Sequence, residues 1–224
     1  ARLLSLVPGV DRPQHVTFRK FADQQWERTW LDRFQPMQFG AGLWIVPGES
    51  EAPASATHIL RLDPGLAFGT GTHPTTYLCL EWIDSHDFTG QRVIDYGCGS
   101  GVLGIAAAIK GAASVVCVDN DPQALTATDD NAERNNVQDV INSMLPGEFS
   151  TQRADVVLAN ILAAPLIELA PRLAGAVGAG GALVLSGILE EQAEEVRTAY
   201  LADFPGMEVR VLDGWVLLTG TRPE

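Results

Sequence analysis

The sequence has few cysteines and no long apolar run, and these two shortages exclude several classes of protein. Its three cysteines, Cys79, Cys98 and Cys117, form neither a CxxC pair nor a Cys/His spacing typical of metal sites. They suggest no disulfide framework, so we expect a reduced, cytoplasmic protein without a bound metal. No apolar run reaches the roughly 18 residues that a membrane span needs, and we expect no membrane partner.

Positive charge is also scarce. The chain has 15 Lys and Arg residues, only two of them lysines, against 28 Asp and Glu residues, which gives a formal net charge of −13. Because proteins bind nucleic-acid phosphates through Lys and Arg, this composition argues against a direct nucleic-acid partner. Residues 1–33 are slightly positive, whereas the acidic remainder would attract a basic protein. The same charge could equally serve solubility alone.

The order of elements after residue 91 indicates an α/β fold. Short apolar runs typical of buried parallel strands alternate with helical segments, including one near 164–177. Asp213-Gly214 lies between two apolar runs and predicts a terminal antiparallel hairpin. We therefore predict a doubly wound, Rossmann-like and mostly parallel seven-stranded sheet. The internal strands are predicted at 92–95, 114–119, 139–145, 154–160 and 181–187.

Residues 1–56 do not follow this alternation. Residues 21–34 predict an amphipathic helix, most simply one that packs against the rest of the protein. Residues 47–56 are rich in Pro, Ala, Ser and Glu, a composition typical of a domain boundary. We therefore predict two parts, 1–56 and 57–224.

A glycine-rich turn follows the first of these strands, in "VIDYGCGSGVLG" (93–104). Three of its glycines match the dinucleotide fingerprint G-x-G-x-x-G, and Asp119 follows at the expected distance, which alone would predict NAD. However, Asp95, Asp119 and Asp121 lie near this turn without a basic residue, and they would repel a pyrophosphate. S-adenosyl-L-methionine resolves the conflict because it carries an ammonium, a sulfonium and a ribose.

The cofactor-binding residues follow from that ligand. We predict that Asp95 faces the ammonium, directly or through water, and that Asp119 accepts hydrogen bonds from the ribose hydroxyls. Asp119 could instead cap the next helix, a role that Asp121 fills better. Glycine at the turn lets the backbone approach the ligand without an intervening Cβ atom. The turn glycines are Gly97, Gly99 and Gly101.

A polar residue ends the strong strand at 154–160, in Asn160-Ile161-Leu162. An amide oxygen and adjacent backbone carbonyls can orient an acceptor amine by its N–H groups, so we predict that these three residues are catalytic. Asn160 would also contact the cofactor. The alternative is that Asn160 is only a turn former.

The segment "LDPGLAFGTGTHPTT" (62–76) precedes the first strand of the sheet. We interpret it as a loop that closes over the cofactor, with Phe68 and Thr76 facing the site. Phe68 would be the candidate cation-π partner of the methylated product. The alternative is an elaborate helix cap, with Thr72 or His73 as the capping residue. A general-base role for His73 is less favoured.

These stretches also carry a family resemblance. "LDPGLAFGTGTHPTT", "VIDYGCGSGVLGIAA", "NAERN" and "ADVVLANILAAPL" closely resemble the PrmA family, the methyltransferases of large-subunit ribosomal protein L11. The glycine motif is generic to methyltransferases, whereas "AFGTGTHPTT" together with "NIL" is much more specific. The resemblance extends from about residue 20 to the end of the chain.

The resemblance implies a class I S-adenosyl-L-methionine-dependent methyltransferase. It implies N-methylation of lysine ε-amines and of the N-terminal α-amine of the ribosomal protein, with cofactor contacts at Thr76, Gly97, Asp119 and Asn160. Residues 1–56 would then be a remnant of the family's N-terminal substrate-recognition domain plus a linker helix. Two alternatives are a small-molecule or nucleic-acid methyltransferase on the same fold and an NAD-dependent oxidoreductase. Asp95 and the terminal hairpin argue against the NAD-dependent oxidoreductase.

Overall fold

A computed structural model describes residues 35–48, 50–62, 73–150 and 152–224. The chain divides into two compact units after Arg33, and the second unit runs from Phe34 to Glu224. This boundary differs from the one that we predicted after residue 56, because residues 35–56 belong to the same compact unit as the predicted methyltransferase domain. The predicted helix at 21–34 lies outside the described residues.

A small three-stranded sheet explains why the boundary lies after Arg33 and not after residue 56. Its first two strands pair antiparallel and its second and third pair parallel. The strands are β1 (Met37–Phe39), β2 (Leu43–Val46) and β3 (His58–Arg61). The Asp84 carboxylate accepts hydrogen bonds from the backbone N–H groups of Ala41 (2.6 Å) and Gly42 (3.2 Å). Because Asp84 ends the first helix of the main domain, these bonds tie the small sheet to it.

The main sheet has seven strands in the spatial order β6-β5-β4-β7-β8-β10-β9. They are β4 (Arg92–Tyr96), β5 (Ser114–Val118), β6 (Ile141–Met144), β7 (Ala154–Asn160), β8 (Val177–Leu189), β9 (Glu208–Leu212) and β10 (Trp215–Thr221). Strands β4 to β8 are parallel, and β10 is antiparallel to both of its neighbours. Asp213 and Gly214 have φ of 50° and 77°, as a two-residue hairpin turn requires. The predicted fold class is confirmed.

Helices cover both faces of this sheet. They are α1 (Pro74–Asp84), α2 (Val102–Ile109), α3 (Pro122–Arg134), α4 (Ala163–Glu168), α5 (Ala170–Ala176) and α6 (Ala193–Tyr200). The single helix predicted near 164–177 is two short helices, because Pro171 in the first turn of α5 starts a new helix there. One core cluster lies under α1 and α2, and the other lies under α4, α5 and α6.

The connections place a crevice at the carboxyl ends of β4, β5 and β7. The chain leaves β4 toward β5 and β6 on one side, and β7 pairs with β4 on the other side. Ligands of open α/β sheets bind at such a switch point. Two capping side chains fix the helices beside it: His73 accepts from Thr75 N–H at the start of α1, and Asp121 accepts from Gln123 N–H at the start of α3.

None of the helices in the described part of the chain has the length and apolar character needed to span a bilayer. The three cysteines are free and buried.

Candidate active site

A cavity of about 760 Å³ occupies the crevice. This volume lies within the range of pockets that bind small molecules and cofactors. Most of the predicted site residues line it, namely Thr76, Gly97, Gly99, Asp119, Asn160, Ile161 and Leu162. Asp95 and Gly101 are not among the lining residues. Phe68 lies outside the described residues.

The glycine turn is packed against the Asn160–Leu162 segment. Gly97 has a φ of 77°, and a Cβ atom added there would lie 2.2 Å from Cγ2 of Ile161. No side chain fits at this position, so the turn and the segment after β7 hold each other in place. The backbone N–H of Gly97 donates to the carbonyl of Val118 (2.7 Å), which ties the turn to the end of β5.

Asp119 follows β5 and is half-buried in the cavity wall. Its Oδ2 atom accepts a hydrogen bond from Gly99 N–H (2.9 Å), and its Oδ1 atom accepts one from Asp121 N–H (3.0 Å). A carboxylate has about four acceptor positions, so two remain for a ligand. Asp119 therefore fixes the glycine turn and also offers acceptors to the cavity. The sequence did not reveal the first of these roles.

Asp95 lies beneath the turn instead of on the cavity wall. Its side chain is 1% exposed, and its Oδ2 atom accepts a hydrogen bond from Gly104 N–H (2.8 Å) at the base of α2. Its Oδ1 atom is buried and has no hydrogen-bond partner among the described residues. Burial raises the pKa of Asp95 to about 7, the Gly104 N–H lowers it, and the charge of Asp119 adds to the increase. Direct contact with a cofactor ammonium remains a prediction that this placement does not favour.

The raised pKa predicts a pH-dependent stability that Asp95→Asn removes. Between pH 4 and 7 the folded state holds a proton that the unfolded state, with its pKa near 3.9, has released, so stability falls as pH rises through this window. We expect wild-type protein to lose about 2–3 kcal/mol from this group between pH 5 and 8, measured by denaturant unfolding. Asp95→Asn should lack that loss.

Asp130→Asn is the matched control because Asp130 is an exposed carboxylate in α3. It should keep the wild-type slope. Identical slopes in wild type and Asp95→Asn would contradict the assignment of this titration to Asp95.

Asn160 and Thr76 form a pair inside the cavity. Nδ2 of Asn160 donates to Oγ1 of Thr76 (3.3 Å), and the Thr76 side chain is fully buried. This bond uses the donor end of the amide, so the amide oxygen is left to accept hydrogen bonds from a ligand. Two segments far apart in the chain, the start of α1 and the end of β7, thus orient one amide.

The two residues after Asn160 differ in exposure. A Cβ atom added at Gly187 in β8 would lie 2.2 Å from the carbonyl oxygen of Ile161, so the Ile161 backbone is tightly enclosed. Leu162 is 69% exposed and lines the cavity, which places it at the mouth. An exposed leucine at the mouth of the cavity, two residues after Asn160, offers an apolar surface to an incoming molecule.

Sequence reasoning missed two aromatic residues that line the cavity, Tyr96 and Trp215. Trp215 lines the cavity, and the His73 ring packs edge-to-face against it with a centroid distance of 4.7 Å. A signal was present, because Trp215 begins the antiparallel strand β10 and pairs with Leu189 at the carboxyl end of β8. The start of an antiparallel strand lies at the same edge of the sheet as the ends of the parallel ones.

The residues of the cavity fit S-adenosyl-L-methionine better than a dinucleotide. Asp119 offers acceptors for ribose hydroxyls, and the described lining contains neither Lys nor Arg. A pyrophosphate would meet the carboxylate without a neutralising base, whereas a ligand with cationic groups would be attracted to it. The lining is otherwise largely apolar, as a purine requires. In the described part of the chain, no group of three His, Cys, Asp or Glu residues is placed to hold a metal ion.

Comparison with known proteins gives consistent matches. Residues 2–223 match the family model described as ribosomal protein L11 methyltransferase (PrmA). The chain is 53% identical over 220 residues to the ribosomal protein L11 methyltransferase of Pseudomonas aeruginosa (strain LESB58), covering 98% of this chain and 74% of that protein.

Two solved structures show the same fold. One is the ribosomal protein L11 methylase of Lactobacillus delbrueckii subsp. bulgaricus, with a TM-score of 0.75 and 31% identity over 85% of this chain and all of that chain. The other is an RNA methyltransferase from Salinibacter ruber in complex with S-adenosyl-L-homocysteine. It has a TM-score of 0.52 and 20% identity over 68% of this chain and 95% of that chain.

Proposed function

The chain belongs to the ribosomal protein L11 methyltransferase family, and from this membership we propose its substrate. It transfers methyl groups from S-adenosyl-L-methionine to lysine ε-amines and to the N-terminal α-amine of the large-subunit ribosomal protein L11. Membership confirms the resemblance noted from the sequence motifs, together with the S-adenosyl-L-methionine-dependent class. The observation that carries the proposal is that Asp119, the glycine turn and the Asn160–Thr76 pair lie in one cavity.

The cavity has two ends. The cofactor-binding end is formed by Asp119 and the glycine turn, and the acceptor end, where the substrate amine is methylated, is formed by Asn160. S-adenosyl-L-methionine supplies an electrophilic methyl group on a positively charged sulfur. Asp119 accepts hydrogen bonds from the ribose hydroxyls, and charge assistance makes these bonds stronger than neutral ones. Gly97 and Gly99 allow the backbone to approach the amino-acid part of the ligand. Without a base in the described lining, the site favours a positively charged ligand.

Asn160 works at the acceptor end. Its amide oxygen accepts an N–H hydrogen bond from the substrate amine, and Thr76 holds the amide in the required orientation through the 3.3 Å bond. The amine must be neutral, because its lone pair would form the new bond to the methyl carbon while the carbon–sulfur bond breaks. S-adenosyl-L-homocysteine would be the leaving group, and the methylammonium product would release its extra proton to solvent. Holding that lone pair in line with the methyl group is a positioning effect and needs no covalent intermediate.

A basic protein substrate also suits the charge of the enzyme. The chain carries a formal net charge of −13, so a positively charged partner would be steered toward it. The exposed Leu162 at the mouth adds an apolar contact. Neither feature suits a nucleic-acid substrate, which would meet repulsion from the acidic surface.

Calorimetry and a methyl-transfer assay test the proposal together. We expect S-adenosyl-L-methionine to bind and NAD to give no heat. With radiolabelled cofactor, label should appear in purified ribosomal protein L11 and, after proteolysis, in lysine and N-terminal peptides. Binding of NAD without binding of S-adenosyl-L-methionine would contradict the methyltransferase assignment for this chain. Label in RNA or in small molecules, with none in the protein, would favour the alternative substrates.

A further inference from the structure

We propose that Arg172 is a positioning residue that holds the purine wall of the cofactor pocket. Arg172 lies in α5 and is not itself among the residues that line the cavity. It contacts the residues that do, and it links the loop after β6 to the end of β4. This inference rests on the proposed function, because it concerns how the same pocket holds S-adenosyl-L-methionine.

Two hydrogen bonds fix the loop between β6 and β7. Nη2 of Arg172 donates to the carbonyl oxygen of Pro146 (2.7 Å) and to that of Phe149 (3.0 Å). Within the same loop, Leu145 and Glu148 bond each other through Glu148 N–H to the Leu145 carbonyl (2.9 Å) and Leu145 N–H to the Glu148 carboxylate (3.0 Å). Residues 145–149 thus form a compact turn that the Arg172 guanidinium fastens to α5.

The same guanidinium lies over two aromatic rings. Its Cζ atom is 5.2 Å from the ring centroid of Phe149 and 5.8 Å from that of Tyr96. The two rings pack edge-to-face at 6.0 Å, and both side chains are buried. Tyr96 is the last residue of β4 and directly precedes Gly97. Arg172 therefore also packs on the residue that leads into the glycine turn.

These contacts meet at one wall of the cavity. Pro146, Tyr96 and Leu169 all line it, and Leu169 lies between α4 and α5, three residues before Arg172. Strand β6 neighbours β5, whereas β7 lies on the far side of β4. Pro146 follows β6, which pairs with β5, the strand that leads to Asp119. With the ribose held at Asp119, the apolar base packs against this wall.

The chemistry of arginine suits this role. A planar guanidinium can donate to two carbonyls while its face lies on an aromatic ring. A lysine ammonium offers a point charge and cannot keep this arrangement. Losing Arg172 removes the two bonds that hold the Pro146–Phe149 turn on α5 and removes no group that lines the cavity, so its effect on binding is indirect.

The test compares Arg172→Met with Arg222→Met. Arg222 also donates to two backbone carbonyls, those of Ala174 and Val177, but it follows β10 at the end of the sheet opposite the cavity. By calorimetry, we expect Arg172→Met to raise the Kd for S-adenosyl-L-methionine, S-adenosyl-L-homocysteine and adenosine by the same factor, about ten-fold. Hydrogen exchange of residues 145–149 should accelerate in the unliganded variant.

Steady-state kinetics distinguish a positioning role of Arg172 from a general loss of stability. We expect Arg172→Met to raise KM for the cofactor and to leave kcat nearly unchanged, because the acceptor end is intact. Arg222→Met should lower Tm and leave every Kd unchanged. Arg172→Lys is the second variant, should the Met variant fold poorly, and its Kd should lie between those of wild type and the Met variant.

Several outcomes would overturn the inference. They are a wild-type Kd in Arg172→Met or Arg172→Lys, equal increases in Kd in the two Met variants, or a loss confined to kcat. If wild-type protein itself bound no S-adenosyl-L-methionine, the proposed function would fail first, and calorimetry of the unaltered chain shows this separately.

Discussion

Asp119→Ala should weaken S-adenosyl-L-methionine binding by about 1.5–3 kcal/mol, equivalent to a rise in Kd of roughly ten- to more than a hundred-fold. The variant loses the acceptors that face the cavity. It also loses the bond from Gly99 N–H (2.9 Å) that holds the glycine turn in place. Calorimetry of both proteins at one pH and salt concentration measures the difference.

Asp121→Ala is the matched control because Asp121 caps α3 and is not among the cavity-lining residues. Removing a cap costs about 1 kcal/mol of stability, so this variant should unfold more easily and bind the cofactor normally. If Asp119→Ala lowered stability in the same way and left Kd unchanged, Asp119 would serve only to fasten the turn.

The parallel strands could be predicted because their signal is local. The apolar run at 154–160 corresponds to β7 without adjustment. In contrast, β8 begins at Val177, earlier than the predicted 181, and includes Gly178, Gly180 and Gly181. Glycine lacks the side chain that marks a strand in the sequence. The early part of β8 depends on pairing with β7, where Val177 lies opposite Ala154 before the register shifts.

The small sheet could not be predicted for a related reason. Strands of three or four residues, such as β1 and β2, are too short to show a periodic pattern. Their stability depends on distant partners, namely β3 and the Asp84 carboxylate. A loop rich in Pro and Ala between β2 and β3 was consequently interpreted as a domain boundary, although the chain on both sides of it belongs to one compact unit.

Asp95 shows what a motif alone does not specify. Its position before the glycines predicted a ligand contact, but side chains alternate between the two faces of a strand. Val93 belongs to the core cluster under α1 and α2, and Ile94 and Tyr96 belong to the other. Asp95 therefore points toward α2, where Gly104 N–H binds it. The alternation was available in the sequence. Only the structure shows that, within the part of the chain it describes, no second donor reaches the remaining oxygen atom of Asp95.

Asp119, Asn160 and Thr76 line the same cavity, and strand polarity explains the placement of the first two. Asp119 and Asn160 follow parallel strands, whose carboxyl ends meet at one edge. The bond between Asn160 and Thr76 was not predictable, because the two residues are 84 positions apart and their distance depends on how α1 packs on the sheet.

Asn160→Ala should reduce kcat by about a hundred-fold and change the Kd for S-adenosyl-L-methionine much less. The reason is that the amide oxygen orients the acceptor amine, an interaction needed for transfer and not for holding the cofactor. Single-turnover methyl transfer at saturating cofactor measures the first quantity, and calorimetry measures the second. Asn120→Ala is the control, since Asn120 lines the same cavity next to Asp119, away from the acceptor end.

Asn160→Asp refines the test. Aspartate keeps an acceptor oxygen for the amine, and the Thr76 hydroxyl can donate to the carboxylate where it now accepts from Nδ2. Because one carboxylate oxygen can still face the amine, we expect a loss of kcat smaller than that of the alanine variant. Equal losses of kcat and of cofactor affinity in Asn160→Ala would instead place Asn160 mainly on the cofactor. In that case the amine would have to be oriented by the backbone carbonyls of the Asn160–Leu162 segment, which Gly97 and Gly187 hold in position.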